Sequence, residues 1–156
     1  MTLLTGLILA GCGGSASEKL QVVSGEGFQF QAPAGWNVNR LTRGVAAASG
    51  PVDLVQAQHF ELVKPYRPAL FAKTARELNS TAARLAEQNS GHLAARGTRQ
   101  IAGRKSRYYR IDFGPGKSEE IAFVLVGKDE YYLLCRRTSN ASDADCRRLF
   151  STFVFD

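Results

Sequence analysis

One helical stripe constrains this chain more than anything else in it. Phe71, Ala75, Leu78, Ala82 and Leu85 recur at steps of four, three, four and three, so residues 68–88 predict one long helix with a single apolar face. Pro68 suits its first turn, and Ser90-Gly91 suits its end. A helix with one apolar face needs a surface to cover, and the flanking segments offer strands. Leu20-Gln21-Val22-Val23, Phe28-Gln29-Phe30-Gln31, Trp36-Asn37-Val38-Asn39 and residues 52–62 precede the helix, most of them alternating apolar and polar with period two. After it, Tyr109, Ile111 and Phe113 alternate with Tyr108, Arg110 and Asp112. Residues 121–126 and 131–135 then flank Gly127-Lys128-Asp129-Glu130 as a hairpin. Its near-continuous apolar reading predicts a central place in a sheet. Asp143 to Phe150 reads as a short closing helix.

The N-terminus carries a separate signal. An apolar run from Leu3 ends in Leu9-Ala10-Gly11-Cys12, and Gly13-Gly14-Ser15-Ala16-Ser17 follows as a flexible tether. At roughly ten residues the run is about half a membrane span, so it reads as a signal segment. The four-residue motif resembles the lipobox of bacterial lipoproteins, in which a peptidase cuts before a cysteine that carries diacylglycerol. The resemblance implies a signal peptide over residues 1–11 and a tether over residues 12–19 headed by Cys12, lipidated and palmitate-bearing. The working domain, residues 20–156, would then be anchored to a cell membrane on its extracytoplasmic side, in the periplasm or at the cell surface. Each buried methylene of such an anchor contributes about 0.8 kcal/mol, and two chains suffice for stable anchoring. The alternative is a buried N-terminal element with Cys12 as an ordinary core thiol.

That anchor also bears on the cysteines. Three is an odd number for an exported protein, and a lipid on Cys12 leaves Cys135 and Cys146 as a pair for an oxidising compartment. A disulfide between them is the expectation. Two free buried thiols, or redox or metal chemistry, are the alternatives, although no third or fourth metal ligand lies nearby. Twenty Lys and Arg against fourteen Asp and Glu give a net charge of +6. Outside a cell, such a balance points to anionic lipid head groups or wall polymer rather than nucleic acid.

Several short phrases resemble PsbP-like domains, the family named for an extrinsic photosystem II subunit. They are Phe28-Gln29-Phe30-Gln31-Ala32-Pro33-Ala34-Gly35-Trp36, the Ile101-Ala102-Gly103-Arg104 turn, and the closing Leu149-Phe150-Ser151-Thr152-Phe153. The likeness covers most of residues 20–156. It implies an α+β single domain, an antiparallel β-sheet with the long amphipathic helix and a C-terminal helix packed on it. It implies no photosynthetic role, because one fold hosts unrelated functions.

Catalytic templates are missing. Gly116-Lys117-Ser118 imitates the end of a phosphate-binding loop, but that motif needs a glycine where this chain has Ile111. His59 and His92 would serve a hydrolase only from a cleft, within reach of a carboxylate or hydroxyl. Trp36 is read as a core residue under its turn, with a binding-face aromatic as the other reading. Two basic clusters stand out. Arg96, Arg99, Arg104, Lys105, Arg107 and Arg110 run without an acid among them, and Arg136-Arg137 could meet Arg147-Arg148 near the cysteines. The first suits an anionic surface at roughly 1 kcal/mol per charge, or equally a solvated sheet edge kept unpaired by charge. The functional expectation is a non-catalytic binding or accessory module of the cell envelope, with no cofactor, whose partner is an anionic lipid, wall polymer or envelope protein. A carrier of a lipid or small apolar ligand beneath helix 68–88 is the alternative, and a cavity between that helix and the sheet would favour it.

Overall fold

Period-two strands become sheets in the computed structural model, which describes residues 18–114, 116–138 and 141–156. The signal segment, Cys12 and most of the expected tether lie outside the described residues. Five strands come first: β1 (Leu20–Ser24), β2 (Phe28–Pro33), β3 (Asn37–Leu41), β4 (Gly44–Ser49) and β5 (Asp53–Glu61). A 3₁₀ turn at Pro68–Leu70 leads into α1 (Phe71–Gln88). Then follow β6 (His92–Ile101), β7 (Arg104–Asp112), β8 (Lys117–Val126), β9 (Asp129–Thr138), α2 (Ala144–Thr152) and the short β10 (Val154–Phe155).

The strands form two antiparallel sheets rather than the single sheet expected. One holds seven strands in the order β3-β4-β5-β9-β8-β7-β6, and the other three in the order β1-β2-β10. The β8–β9 hairpin is central, as its apolar reading requires, with Leu133 opposite Ala122 and Ala57. Two strands escape the sequence pattern. β4 reads Gly-Val-Ala-Ala-Ala-Ser, small residues without alternation and with Val45 alone β-branched, yet it pairs with β5 along its whole length and with β3 from Gly44 to Ala48. Its size is its fitness: a Cβ on Gly44 would sit 2.0 Å from the Ala57 carbonyl oxygen. β10 is only two residues long and pairs with β2.

Alternation along the seven strands gives that sheet an inner face and a helix face. The inner face presents Val45, Val55, Ala57, Ala122, Val124, Leu133 and Cys135. They meet Val23, Phe28, Phe30 and Ala32 of the small sheet and Leu149, Phe150 and Phe153 of the C-terminal segment. Phe28 stacks on Phe153 at 5.7 Å and meets Tyr131 edge-on at 5.8 Å. Trp36 packs against the same core, half-buried. The Cys135–Cys146 disulfide forms, joining α2 to the central strand.

The helix face carries Tyr109, Ile111, Ile121, Phe123 and Leu134, covered by α1 through Ala82 and Ala86 with Leu78 and Leu85 beside them. α1 ends as the sequence predicts, through a paired closure. Gly91 N–H donates to the Ala86 carbonyl at 2.8 Å and Ser90 N–H to that of Glu87 at 3.1 Å. The left-handed residue is Ser90, with φ 56°, and not the glycine. Gly91 answers a different need, since a Cβ there would lie 2.6 Å from the Phe113 ring. No helix among the described residues is long and apolar enough to cross a membrane.

Candidate functional site

The two halves of α1 approach the sheet differently, and the cause is side-chain size. Ala82 and Ala86 in the C-terminal half are fully buried and let the backbone come close. At mid-helix, the Asn79 amide oxygen accepts from Arg107 Nη2 at 2.8 Å and from the Tyr109 hydroxyl at 2.9 Å, which fixes the helix on the sheet. The N-terminal half presents Lys73, Thr74, Glu77 and Leu78 to a cleft instead. Residues 62–67 close the far end as a strap, with Leu62 N–H and Tyr66 N–H each donating at 2.6 Å to the carbonyls of Lys128 and Gly127 in the β8–β9 turn.

Between strap, helix and sheet lies a cleft of about 350 Å³. Its apolar lining is Leu62, Leu70, Leu78 and Leu125, with Pro65 and Tyr66 from the strap. Four charged side chains border it: Lys64, Lys73, Glu77 and Glu130. Glu130 is half-buried, and burial pushes its carboxyl above the ordinary glutamate range. It accepts no hydrogen bond and has no cation within ion-pair reach among the described residues. A smaller cavity of about 140 Å³ continues past Tyr66, lined by Pro68, Arg104, Lys105, Leu125, Val126 and Gly127. A cavity thus lies between helix and sheet.

The expected basic cluster is divided. On β6 and β7, Arg99 faces the inner side with Ser106, whereas Arg107 faces α1 with Thr98. Period two thus sends Arg99, Arg104 and Arg110 to one face and Arg96, Lys105 and Arg107 to the other. Several are also engaged. The Arg99 guanidinium lies 3.6 Å from the Tyr108 ring centroid and 3.7 Å from Glu120, while Arg110 pairs with Asp112 at 3.5 Å. Lys105 Nζ sits 4.5 Å over Phe71. Arg96, Arg104 and Lys105 form no ion pair among the described residues, and Arg104 and Lys105 border the smaller cavity.

Arg136-Arg137 and Arg147-Arg148 do not merge into a second patch. Arg136 reaches Glu119 at 2.7 Å on the helix face and Arg137 reaches Glu120 at 3.7 Å on the inner face. Arg147 pairs with Asp143, and Arg148 with Asp145 and Glu18. Glu120, only 5% exposed, also accepts from the Tyr108 hydroxyl at 2.8 Å. The inner-face charges therefore hold the structure together.

His59 meets both conditions set for a hydrolase. Its Nε2 lies 2.8 Å from Asp129 Oδ1, its ring stacks on Tyr131 at 4.9 Å, and it borders a 180 Å³ cleft with Arg40, Thr42 and Arg43. No hydroxyl or thiol among the described residues is hydrogen-bonded to it, so the orienting acid is present without a nucleophile. His92 is exposed at the start of β6 and borders no cleft described above. No group of three or more metal-ligating side chains occurs among the described residues.

Reading the sequence overlooks Glu130, although a signal exists. Glu130 is in phase with Tyr132 and Leu134, so period two already places an acid on the face that α1 covers. The strap is likewise legible only as a break: Pro65 and Pro68 mark its bends, but nothing in the pattern says it docks on the hairpin turn.

No protein-family model matches this chain, and no curated protein shows a significant match to it. Solved structures do. The solution structure of cyanobacterial PsbP (CyanoP) from Synechocystis sp. PCC 6803 matches with a TM-score of 0.64 at 15% identity, over 95% of this chain and 99% of that one. A crystal structure from Bacteroides thetaiotaomicron VPI-5482 matches at 0.52 and 13% identity, over 83% of this chain and 45% of that one. The chain therefore has a PsbP-like fold, and at these identities the likeness speaks of fold alone.

Proposed function

We propose that this protein is a membrane-tethered, extracytoplasmic binding protein that carries a small amphiphile in the cleft beneath the N-terminal half of α1. The carrying observation is the 350 Å³ cleft itself, floored by Leu78 and Leu125 and strapped shut at one end by residues 62–67. Its volume lies within the range of small-molecule sites. Burying about six methylenes there contributes about 5 kcal/mol before the entropy of association is subtracted, so the ligand's chain alone supports at best about 0.2 mM binding and the polar groups of the cleft must supply the rest. The surroundings suit loading from a membrane. Val63 on the strap is 95% exposed and Leu70 45%, and Arg104 and Lys105 border the adjoining smaller cavity with Tyr66 and Pro68. The tether rests on the Leu9-Ala10-Gly11-Cys12 motif, which would hold the domain next to that membrane.

The test is a titration of residues 18–156 with a solvatochromic fatty-chain probe. Wild type should bind saturably, and Leu78→Trp, which fills the cleft, should weaken binding at least tenfold while keeping the native circular dichroism spectrum. Equal binding by the two proteins would place the probe elsewhere and end the carrier reading.

A further inference from the structure

The cleft is not a plain apolar pocket, and its one anomalous member is Glu130. In the rows of the sheet Glu130 lies opposite Phe60 on β5 and Leu125 on β8, so its strand neighbours are apolar on both sides. Glu130 is half-buried between them, which costs its carboxylate part of its hydration. Yet no donor reaches it among the described residues, and its side chain borders the cleft. The basic groups of the same cleft, Lys64 and Lys73, are exposed at its mouth with Glu77. The arrangement is thus graded in depth, an acid within and two ammonium groups outside.

We infer that the cleft selects a zwitterionic amphiphile, one whose primary ammonium meets Glu130 while its anionic group lies against Lys64 and Lys73. This rests on the carrier reading and adds the class of ligand to it. A charge-assisted bond from an ammonium would supply the missing donor, and such bonds are about twice as strong as neutral ones. The raised Glu130 carboxyl fits this, because burial penalises the ionised form and a cation beside it would favour that form. The outer lysines, solvated and screened, contribute less and act on the anionic end.

Two probes separate this inference from the reading beneath it. Lauroyl lysophosphatidylethanolamine and lauroyl lysophosphatidylglycerol share a chain and a phosphate, and only the first carries an ammonium. Binding measured by calorimetry below the micellar range should favour the ethanolamine lipid at least tenfold. Glu130→Gln, of nearly equal shape, should abolish that preference, by weakening the ethanolamine lipid to the level of the glycerol lipid. Lys73→Ala should weaken both lipids alike, by two- to fivefold. Equal binding of the two lipids to wild type, or a preference that survives Glu130→Gln, would overturn the inference and leave the carrier reading standing. Binding of neither lipid, together with no binding of the fatty-chain probe, would overturn both.

Discussion

The two faces of the seven-stranded sheet are built from similar residues and closed in opposite ways. The inner face is sealed by a second sheet, by α2 and by a disulfide, and its buried carboxylate is matched: Glu120 with Tyr108, Arg99 and Arg137. The helix face is covered by one helix that lies close at its alanines and borders a cleft at Lys73, Thr74 and Glu77. There Glu130 remains unmatched. Closure and a paired buried carboxylate mark the side that holds the fold together, although the buried Ser118 hydroxyl there makes no hydrogen bond among the described residues. Open volume with an unsatisfied acid marks the side that would do the work.

Truncation should show the largest contrast. Phe28→Ala removes a fully buried ring wedged between Tyr131 and Phe153, and should cost about 3–5 kcal/mol. Leu70→Ala at the mouth of the cleft should cost less than about 1 kcal/mol, because half of that side chain is already in water. Urea denaturation of both variants measures the difference, and equal losses would erase the distinction between the faces.

Next in size is the staple. Cys135 and Cys146 close a short loop, with a sequence separation of 11, so replacing both by serine should cost about 3 kcal/mol in the chain-entropy model. The loss should fall on inner-face stability, with probe binding at the cleft retained below the new unfolding midpoint. Loss of binding in still-folded protein would mean that the faces are not independent.

The smallest effect sharpens the comparison most. The Glu130 carboxyl is raised in the folded protein by burial, so over the window from the ordinary glutamate range up to its raised value the folded state holds a proton that the unfolded chain has released. Stability from this group is therefore lost as pH rises through that window and is level above it. Lys64, Lys73, Glu77 and Tyr66 share the cleft, and Tyr66, also raised by burial, stays neutral across that window. Glu130→Gln should remove the step and gain a few tenths of a kcal/mol at neutral pH. Thermal melts across that window measure it, and an unchanged pH profile in the variant would show that Glu130 is not held in an unfavourable place.

Much of this organisation is written locally in the chain. The α1 stripe, its Ser90-Gly91 end and the central β8–β9 hairpin all follow from periodicity, since each buries one face on a surface it meets directly. β4 is illegible for the reason that makes it fit: Ala46, Ala47 and Ala48 have no bulk to alternate, and the neighbouring strands provide the burial. The second sheet is built on the β1–β2 pair and takes its third strand from β10, a two-residue pairing with β2 from the far end of the chain. Of the site, the helix was visible and the cleft was not, because a cavity arises from the difference between how Ala82 and Lys73 meet a distant strand. The six basic residues of 96–110 read as one cluster in a line and become two in a pleated sheet.

The account turns on whether the cleft is occupied in its own setting. Native mass spectrometry of the protein extracted from its host's envelope should show a retained amphiphile on the disulfide-bonded chain, and the Leu78→Trp protein extracted in the same way should be bare. A bare wild-type chain that also fails to take up a fatty-chain probe would contradict the claim that this PsbP-like domain is a carrier.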